Sequence, residues 1–212
     1  MTDETEVLVV GAGPTGLTTA AGLLQRGVRV RVIDKAERAN PHSKAIVLWP
    51  RAMEAFDSLG VGEDVFAAGV KIHGTNNYTG GRRVGGFRMK PLTGTRFPLA
   101  VSLPQSLTER FLRDAVERLG GRIEFGRRLE TLQQEDDVVV AKLDDGETIR
   151  ASWVVGADGA YSKVRDETGV SFEGSPYPQT FVLVDGEYDT DCRHDESYYM
   201  LGPGGVVVVV GL

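Results

Sequence analysis

Three glycines near the amino terminus have the spacing of a loop that binds the phosphates of a dinucleotide. Gly11, Gly13 and Gly16 lie in the sequence GAGPTG, between the apolar run 7–10 and a helix expected over residues 15–25. In such a loop the first glycine permits a tight turn, the second lets the backbone approach a pyrophosphate, and the third allows close packing of helix on strand. The helix amino terminus would attract the phosphates through its free N–H groups and its dipole.

An acidic residue ends the next expected strand, residues 28–34. Asp34 stands where a carboxylate can accept hydrogen bonds from ribose hydroxyls, and the same charge would repel a 2′-phosphate. The apolar strand, the helix and Asp34 together favour a dinucleotide site over the alternative, a glycine turn without a ligand. These features alone do not distinguish FAD from NAD.

A second glycine motif follows another apolar strand. Residues 154–165 have the sequence VVGADGAYSKVR, in which Gly156 and Gly159 permit close approach of a ligand and Asp158 supplies an acceptor. Arg165 could pair with Asp158 or help to position the loop. The alternative is an ordinary strand-to-helix turn with an aspartate cap.

The two motifs, in this order, resemble those of the class A flavoprotein monooxygenases, the para-hydroxybenzoate hydroxylase-like family. The stretch G-A-D-G-A-x-S-x-V-R is similar to the second fingerprint of that family. In the family this element lies close to both the FAD and the route of the reduced nicotinamide. The resemblance therefore implies that the bound dinucleotide is FAD.

Further segments are similar to the same family. Ser43-Lys44-Ala45 and residues 49–54 resemble the stretch beside the flavin, although Lys44 replaces the usual arginine and could equally be a surface lysine. Gln105 precedes an expected helix, where the family has a glutamine on the ribityl side of FAD; a helix cap is its alternative. Arg51 could simply form a salt bridge at a helix start. The predicted cofactor-binding residues are Gly11, Gly13, Pro14, Thr15, Gly16, Asp34, Lys35, Lys44, Gln105, Asp158 and Gly159.

The resemblance implies a reaction as well as a cofactor. In the family, NADPH or NADH reduces FAD, and O2 then supplies the oxygen atom that hydroxylates an electron-rich aromatic ring. A phenolic or polyketide-type compound is the expected substrate, and no catalytic side chain is assigned because the flavin carries the chemistry. A related flavin epoxidase or halogenase and a non-catalytic FAD-binding module remain as alternatives.

Composition excludes several other classes of protein. The 212 residues contain 24 Lys plus Arg and 30 Asp plus Glu, a net charge of −6 with both signs interspersed, so nucleic acid is not an expected partner. Cys192 is the single cysteine, and no apolar stretch is long enough to span a bilayer, which together suggest a cytoplasmic protein without a membrane partner. His42, His73 and His194 lack the spacing of metal ligands, so no metal is expected.

The elements that must hold these motifs indicate an α/β fold. We expect a Rossmann-like FAD-binding domain with a parallel sheet and a β-meander, formed by residues 1–70 and 102–175, and part of a β-sheet-rich substrate domain, formed by 71–101 and 176–212. Helices are expected over 51–59 and 107–119. Strands are expected over 123–125, 138–143, 148–151 and 153–156, with a hairpin turn at Asp145-Gly146.

The family has a third fingerprint, a Gly-Asp-Ala-x-His element, that this sequence does not contain. Near its end the sequence instead has Gly202-Pro203-Gly204-Gly205 followed by five valines, which predict a hairpin turn and a core strand of the substrate layer. These features suggest that the 212 residues are part of a longer enzyme, whose remaining portion would be their partner.

Overall fold

The computed structural model describes residues 3–41 and 46–212. Its helices, in chain order, are α1 (Pro14–Leu24), α2 (Pro50–Ser58), α3 (Gly62–Ala68), α4 (Gln105–Arg118) and α5 (Lys163–Thr168). Its strands are β1 (Asp3–Val10), β2 (Val30–Asp34), β3 (Val47–Leu48), β4 (Val70–Lys71), β5 (Gly74–Thr79), β6 (Arg82–Arg88), β7 (Val101–Ser102), β8 (Arg122–Phe125), β9 (Leu129–Glu135), β10 (Val138–Leu143), β11 (Thr148–Gly156), β12 (Glu196–Gly202) and β13 (Gly205–Val210).

The chain divides into two compact units. The first comprises Met1–His42 and Thr108–Thr180, and the second comprises Ser43–Leu107 and Phe181–Leu212. These limits differ from the expected domains, since residues 43–70 were expected to belong with the first unit. They belong to the second unit because α2 packs on α3 and because β3 and β4 both pair with β7. That one expected domain binds FAD and the other binds the substrate stays a prediction.

The first unit contains a six-stranded sheet in the order β8-β2-β1-β11-β10-β9. Strands β8, β2, β1 and β11 are parallel, whereas β10 and β9 continue the sheet as an antiparallel meander. The predicted α/β fold with a parallel sheet and a meander is therefore confirmed. One correction concerns residues 148–156, which form the single strand β11 because it pairs on one side with β1 and on the other with β10.

The core of this unit follows from the apolar runs of the sequence. Leu8, Val9 and Val32 on the central strands are fully buried, as expected for a parallel sheet covered on both faces. Helix α1 packs against β1 and β2, and its small residue Ala20 and its neighbour Leu17 are also fully buried. Small side chains on α1 thus bring its backbone close to the sheet.

The meander turns where the sequence predicts it. Gly146 has a φ of +86° and its N–H donates to the Leu143 carbonyl at 3.0 Å, so the expected hairpin at Asp145-Gly146 is confirmed. Strand β9, which the sequence pattern did not predict, pairs with β10 and completes the meander. No helix within residues 3–41 and 46–212 is long and apolar enough to cross a membrane.

The second unit contains a four-stranded sheet in the order β13-β12-β5-β6 and a small sheet in the order β3-β7-β4. Strands β12 and β13 form the predicted carboxyl-terminal hairpin. Its valines are not core residues here, however, since Val206, Val207 and Val208 are 61, 59 and 50% exposed. Successive residues of β13 point to opposite faces of the sheet, so the described residues cover neither face at these three valines.

Candidate cofactor site

The two glycine motifs meet at one edge of the six-stranded sheet. Because β1 and β11 are parallel neighbours, the loops that follow them leave the sheet side by side. The Ala157 N–H donates to the Val10 carbonyl at 2.8 Å and so extends this pairing beyond the strand ends. In the sheet, β2 and then β8 lie on one side of β1, whereas β11 lies on its other side, so the strand order changes direction at β1. Crevices at such a change of strand order are the usual ligand sites of α/β sheets.

Gly11 and Gly16 are required by packing inside the first loop. Gly11 has a φ of +109°, and a Cβ added to it would lie 2.3 Å from the Ala157 carbonyl oxygen. A Cβ on Gly16 would lie 1.9 Å from the Gly11 carbonyl oxygen. Both distances are far below van der Waals contact, so these two positions hold α1, the first loop and the second loop together.

Gly13 has a different environment. A Cβ added to Gly13 would meet none of the described heavy atoms within 4 Å, and its φ of −78° is open to any residue. The fold itself therefore does not require glycine here. An open backbone surface in the middle of the loop suits the close approach of a pyrophosphate, and in this respect the loop fits FAD.

The amino terminus of α1 supplies donors beside this open surface. Gly13 is the N-cap, Pro14 is the first helical residue, and the first intrahelical bond runs from the Leu17 N–H to the Gly13 carbonyl at 2.9 Å. The N–H groups of Thr15 and Gly16 precede that bond and point out of the helix end. No acidic residue lies in the first turn of this described helix, so its positive dipole end is left for an anion.

Asp34 is held at the end of β2 by two backbone N–H groups. Its Oδ2 accepts from Ala12 at 2.7 Å and its Oδ1 accepts from Ala36 at 2.8 Å. A carboxylate offers about four acceptor positions in all, which leaves capacity for ribose hydroxyls. The bond from Ala12 links the acid directly to the glycine loop and was not foreseen from the sequence. Lys35, the next residue, is exposed.

The second loop is shaped by a network around Asp158. Its Oδ1 accepts from the Ser162 hydroxyl at 2.6 Å, and its Oδ2 accepts from the Lys163 N–H at 2.6 Å. Gly159 has a φ of +84°, which makes the sharp turn between the loop and α5 possible. Asp158 therefore acts as a helix cap, the structural alternative considered above, and its direct contact with a cofactor stays a prediction.

Ser162 is a member of this network that sequence reasoning missed. It is the N-cap of α5, and its Oγ accepts from the Arg165 N–H at 3.1 Å. Ser162 directly precedes the first residue of this short polar helix, and a serine at that position is a recognisable N-cap signal that could have indicated its role. Arg165, for which pairing with Asp158 was one of two possibilities, has its guanidinium 4.7 Å from the centroid of the Phe172 ring and 3.7 Å from Asp166.

The other end of α5 is tied to the meander. Glu167 accepts a hydrogen bond from Lys163 and another from the Leu132 N–H of β9, at 3.1 Å for the latter. These two bonds lower the pKa of the Glu167 carboxyl below its ordinary value. The helix that follows the second loop is thus fixed at both of its ends.

Replacing Ser162 or Asp158 with alanine should distinguish capping from cofactor contact. Each change removes capping bonds from α5 and should lower the free energy of unfolding by about 1 kcal/mol. If Asp158 also contacts the cofactor, Asp158→Ala alone should weaken FAD binding. Urea unfolding and fluorescence titration with FAD would measure the two effects, and equal FAD affinities in both variants would limit Asp158 to the capping role.

The remaining predicted contacts lie elsewhere in the chain. Gln105 is the first residue of α4 and is half-buried, in the second unit. Lys44 lies outside the described residues. Arg51 donates to Glu54 at 2.9 Å, which is the salt bridge at a helix start that was the alternative for this residue.

Comparison with known proteins agrees with this geometry. Residues 4–209 match the family described as the FAD binding domain, and the chain belongs to that family. It is 35% identical to 6-methylpretetramide 4-monooxygenase of Streptomyces rimosus, with 98% of this chain and 38% of the relative covered. It is also 35% identical to pentachlorophenol 4-monooxygenase of Sphingobium chlorophenolicum, with 97% and 40% covered.

Solved structures have the same fold. The p-nitrophenol 4-monooxygenase of Pseudomonas putida superposes with a TM-score of 0.77 at 29% identity, over 82% of this chain and 46% of that protein. The chain spans about two fifths of the length of the curated relatives, 38% and 40% for the two above. The resemblance to flavoprotein monooxygenases inferred from the sequence motifs is confirmed.

Proposed function

We propose that the protein containing this chain is an FAD-dependent monooxygenase that hydroxylates a phenolic or polyketide-type aromatic compound, with NADPH or NADH and O2 as co-substrates. The proposal rests mainly on one observation: the glycine loops that follow the parallel neighbours β1 and β11 lie side by side, in a chain that belongs to the FAD-binding domain family. Pentachlorophenol and p-nitrophenol, which appear in the names of two similar proteins, are both phenols.

Each proposed binding residue has a distinct task. The Thr15 and Gly16 N–H groups would donate to the pyrophosphate, for which Gly13 leaves room, while Asp34 would accept from the ribose of the adenosine half. Lys35 would supply positive charge near the phosphates, and the same role is proposed for Lys44, which lies outside the described residues. Asp158 and Gly159 would border the flavin, and Gln105 would donate to or accept from the ribityl chain.

Bound FAD would supply the redox chemistry, that is, hydride acceptance from the reduced nicotinamide and activation of O2, by which one oxygen atom would enter the ring as a hydroxyl and the other would leave as water. The protein groups orient the cofactor and keep water from the reacting atoms. The proposed site residues therefore bind and position the cofactor, and none of them has to act as a nucleophile. We also propose a cytoplasmic location, which agrees with the presence of one cysteine, Cys192, among these 212 residues.

Oxygen consumption and product analysis test the proposal. A phenol should stimulate NADPH or NADH oxidation by the FAD-loaded protein and should be recovered with one added hydroxyl group per reduced nicotinamide consumed. Binding of FAD, visible as a flavin absorption band, without any phenol-dependent oxidation would instead indicate a non-catalytic FAD-binding module.

Asp34→Ala should weaken FAD binding roughly 10- to 100-fold, at about 1.4 kcal/mol per tenfold. The variant loses the ribose acceptor and also the bond from Ala12 that fixes the loop. Asp34→Glu is the matched control, because it retains a carboxylate at the end of β2 and should keep most of the affinity. Equilibrium titration of flavin fluorescence measures both variants, and an Asp34→Ala protein with unchanged affinity would exclude the ribose role.

A further inference from the structure

The loop after β8 contacts the segment that carries Asp34. The Arg127 N–H donates to the Asp34 carbonyl at 2.8 Å, and the Gly126 N–H donates to the Ala36 carbonyl at 2.8 Å. The carboxylate of Asp34 is bound by Ala12 from the opposite direction. The residue proposed to hold the ribose is thus fixed between the glycine loop and residues 126–127.

The side chain of Arg127 extends from this loop to the turn between β10 and β11. Its guanidinium pairs with Asp145 and with Glu147, and its Nε lies 3.9 Å from Glu124 Oε2. The side chain is 21% exposed. Arg127 therefore contacts Asp34 through its backbone and the meander turn through its side chain.

A second arginine makes this connection rigid. Arg31, on β2, donates to both carboxylate oxygens of Glu124 at 2.8 Å and to Glu147 Oε1 at 3.2 Å. The side chains of Arg31 and Glu124 are 14 and 11% exposed. Two-point arginine contacts of this kind fix both partners, and loss of one partner leaves a largely buried charge unpaired. The turn is consequently a fixed anchor for Arg127.

We propose that Arg127 is a positioning residue of the cofactor site: its ion pairs with Asp145 and Glu147 hold residues 126–127, and these hold the Asp34 carboxylate in place for the adenosine ribose of FAD. This inference rests on the proposed function, because it takes Asp34 as the ribose acceptor. Arg127 itself touches no part of the cofactor in this account. Its effect on binding passes through Asp34.

A double-mutant cycle separates this role from a general effect on folding. Arg127→Met keeps much of the side-chain volume and removes the ion pairs, so it should weaken FAD binding roughly 3- to 30-fold. In an Asp34→Ala background the same change should alter FAD affinity less than about twofold, because the group that it positions is gone. FMN lacks the adenosine half, and its affinity should not respond to Arg127→Met.

Arg128→Met is the matched control. Arg128 is the adjacent residue, is 62% exposed and lies 3.7 Å from Asp144, so its replacement should leave FAD affinity unchanged. If Arg127→Met fails to fold, as judged by circular dichroism, Arg127→Lys takes its place in the cycle, since it keeps the charge and loses the two-point geometry.

Two results would overturn the positioning role. One is an equal loss of FAD affinity in the wild-type and Asp34→Ala backgrounds, and the other is no loss in either. Both leave the proposed function intact, because the wild-type chain still binds FAD. Absence of FAD binding in the wild-type protein that contains this chain would contradict the proposed function and this inference together.

Discussion

Gly16→Ala should destabilise the protein by about 2–4 kcal/mol, although alanine within a helix is ordinarily favoured over glycine by about 1 kcal/mol. The added Cβ would lie 1.9 Å from the Gly11 carbonyl oxygen and 3.3 Å from the Ala157 Cβ. Backbone atoms of the first loop cannot rotate away, so α1 has to move from the sheet edge. Urea unfolding measured without FAD would give the change in the free energy of unfolding.

Gly13→Ala, three residues earlier, is the control for Gly16→Ala. The described structure has open space around Gly13, and the loss of a glycine N-cap should cost at most about 1 kcal/mol. If Gly13→Ala proves as destabilising as Gly16→Ala, or if Gly16→Ala proves neutral, the packing of α1 against the two loops is not as described.

FAD binding should respond to Gly13→Ala far more than stability does. The new methyl group would occupy the surface on which we place the pyrophosphate, and we expect FAD affinity to fall about 100-fold, or about 2.7 kcal/mol. Titration of the folded variant with FAD measures this loss. The free N–H groups of Thr15 and Gly16 stay in place in this variant, so the loss can be assigned to exclusion of the phosphates.

ADP provides an independent check on the same site. It contains the pyrophosphate and the adenosine ribose but no flavin, so its affinity should fall in parallel with that of FAD in Gly13→Ala. An unchanged affinity for both ligands would show that the pyrophosphate lies elsewhere.

Much of the first unit could be predicted from local sequence. The apolar run before Gly11 and the small residues of α1 predict a buried strand and a closely packed helix, and both are present. Asp145-Gly146 predicts its own turn because glycine tolerates a positive φ. These features depend on residues that are neighbours in the chain, for which spacing and residue type carry the information.

Elements whose stability comes from tertiary contacts were harder to predict. Strand β9 is largely polar and exposed, so its sequence shows little alternation, and its strand form depends on pairing with β10. Helix α3 is seven residues long and buries Val65 beside α2; a helix this short depends on packing rather than on intrinsic propensity. The exposure of the valines of β13 likewise depends on whether other elements cover the two faces of the sheet, which the apolar character of these residues does not decide.

The sequence by itself determined the chemistry available to this protein: a glycine loop at a helix amino terminus, an acid at the end of the next strand, and a second glycine motif typical of flavoproteins. The tertiary structure decided which of these groups meet. It placed the loops after β1 and β11 against each other, tied Asp34 to Ala12 and to the loop of Arg127, and assigned Asp158 to the cap of α5. The physical reason is that parallel pairing joins strands distant in the chain, and hydrogen bonds between their loops depend on that register rather than on local residue type.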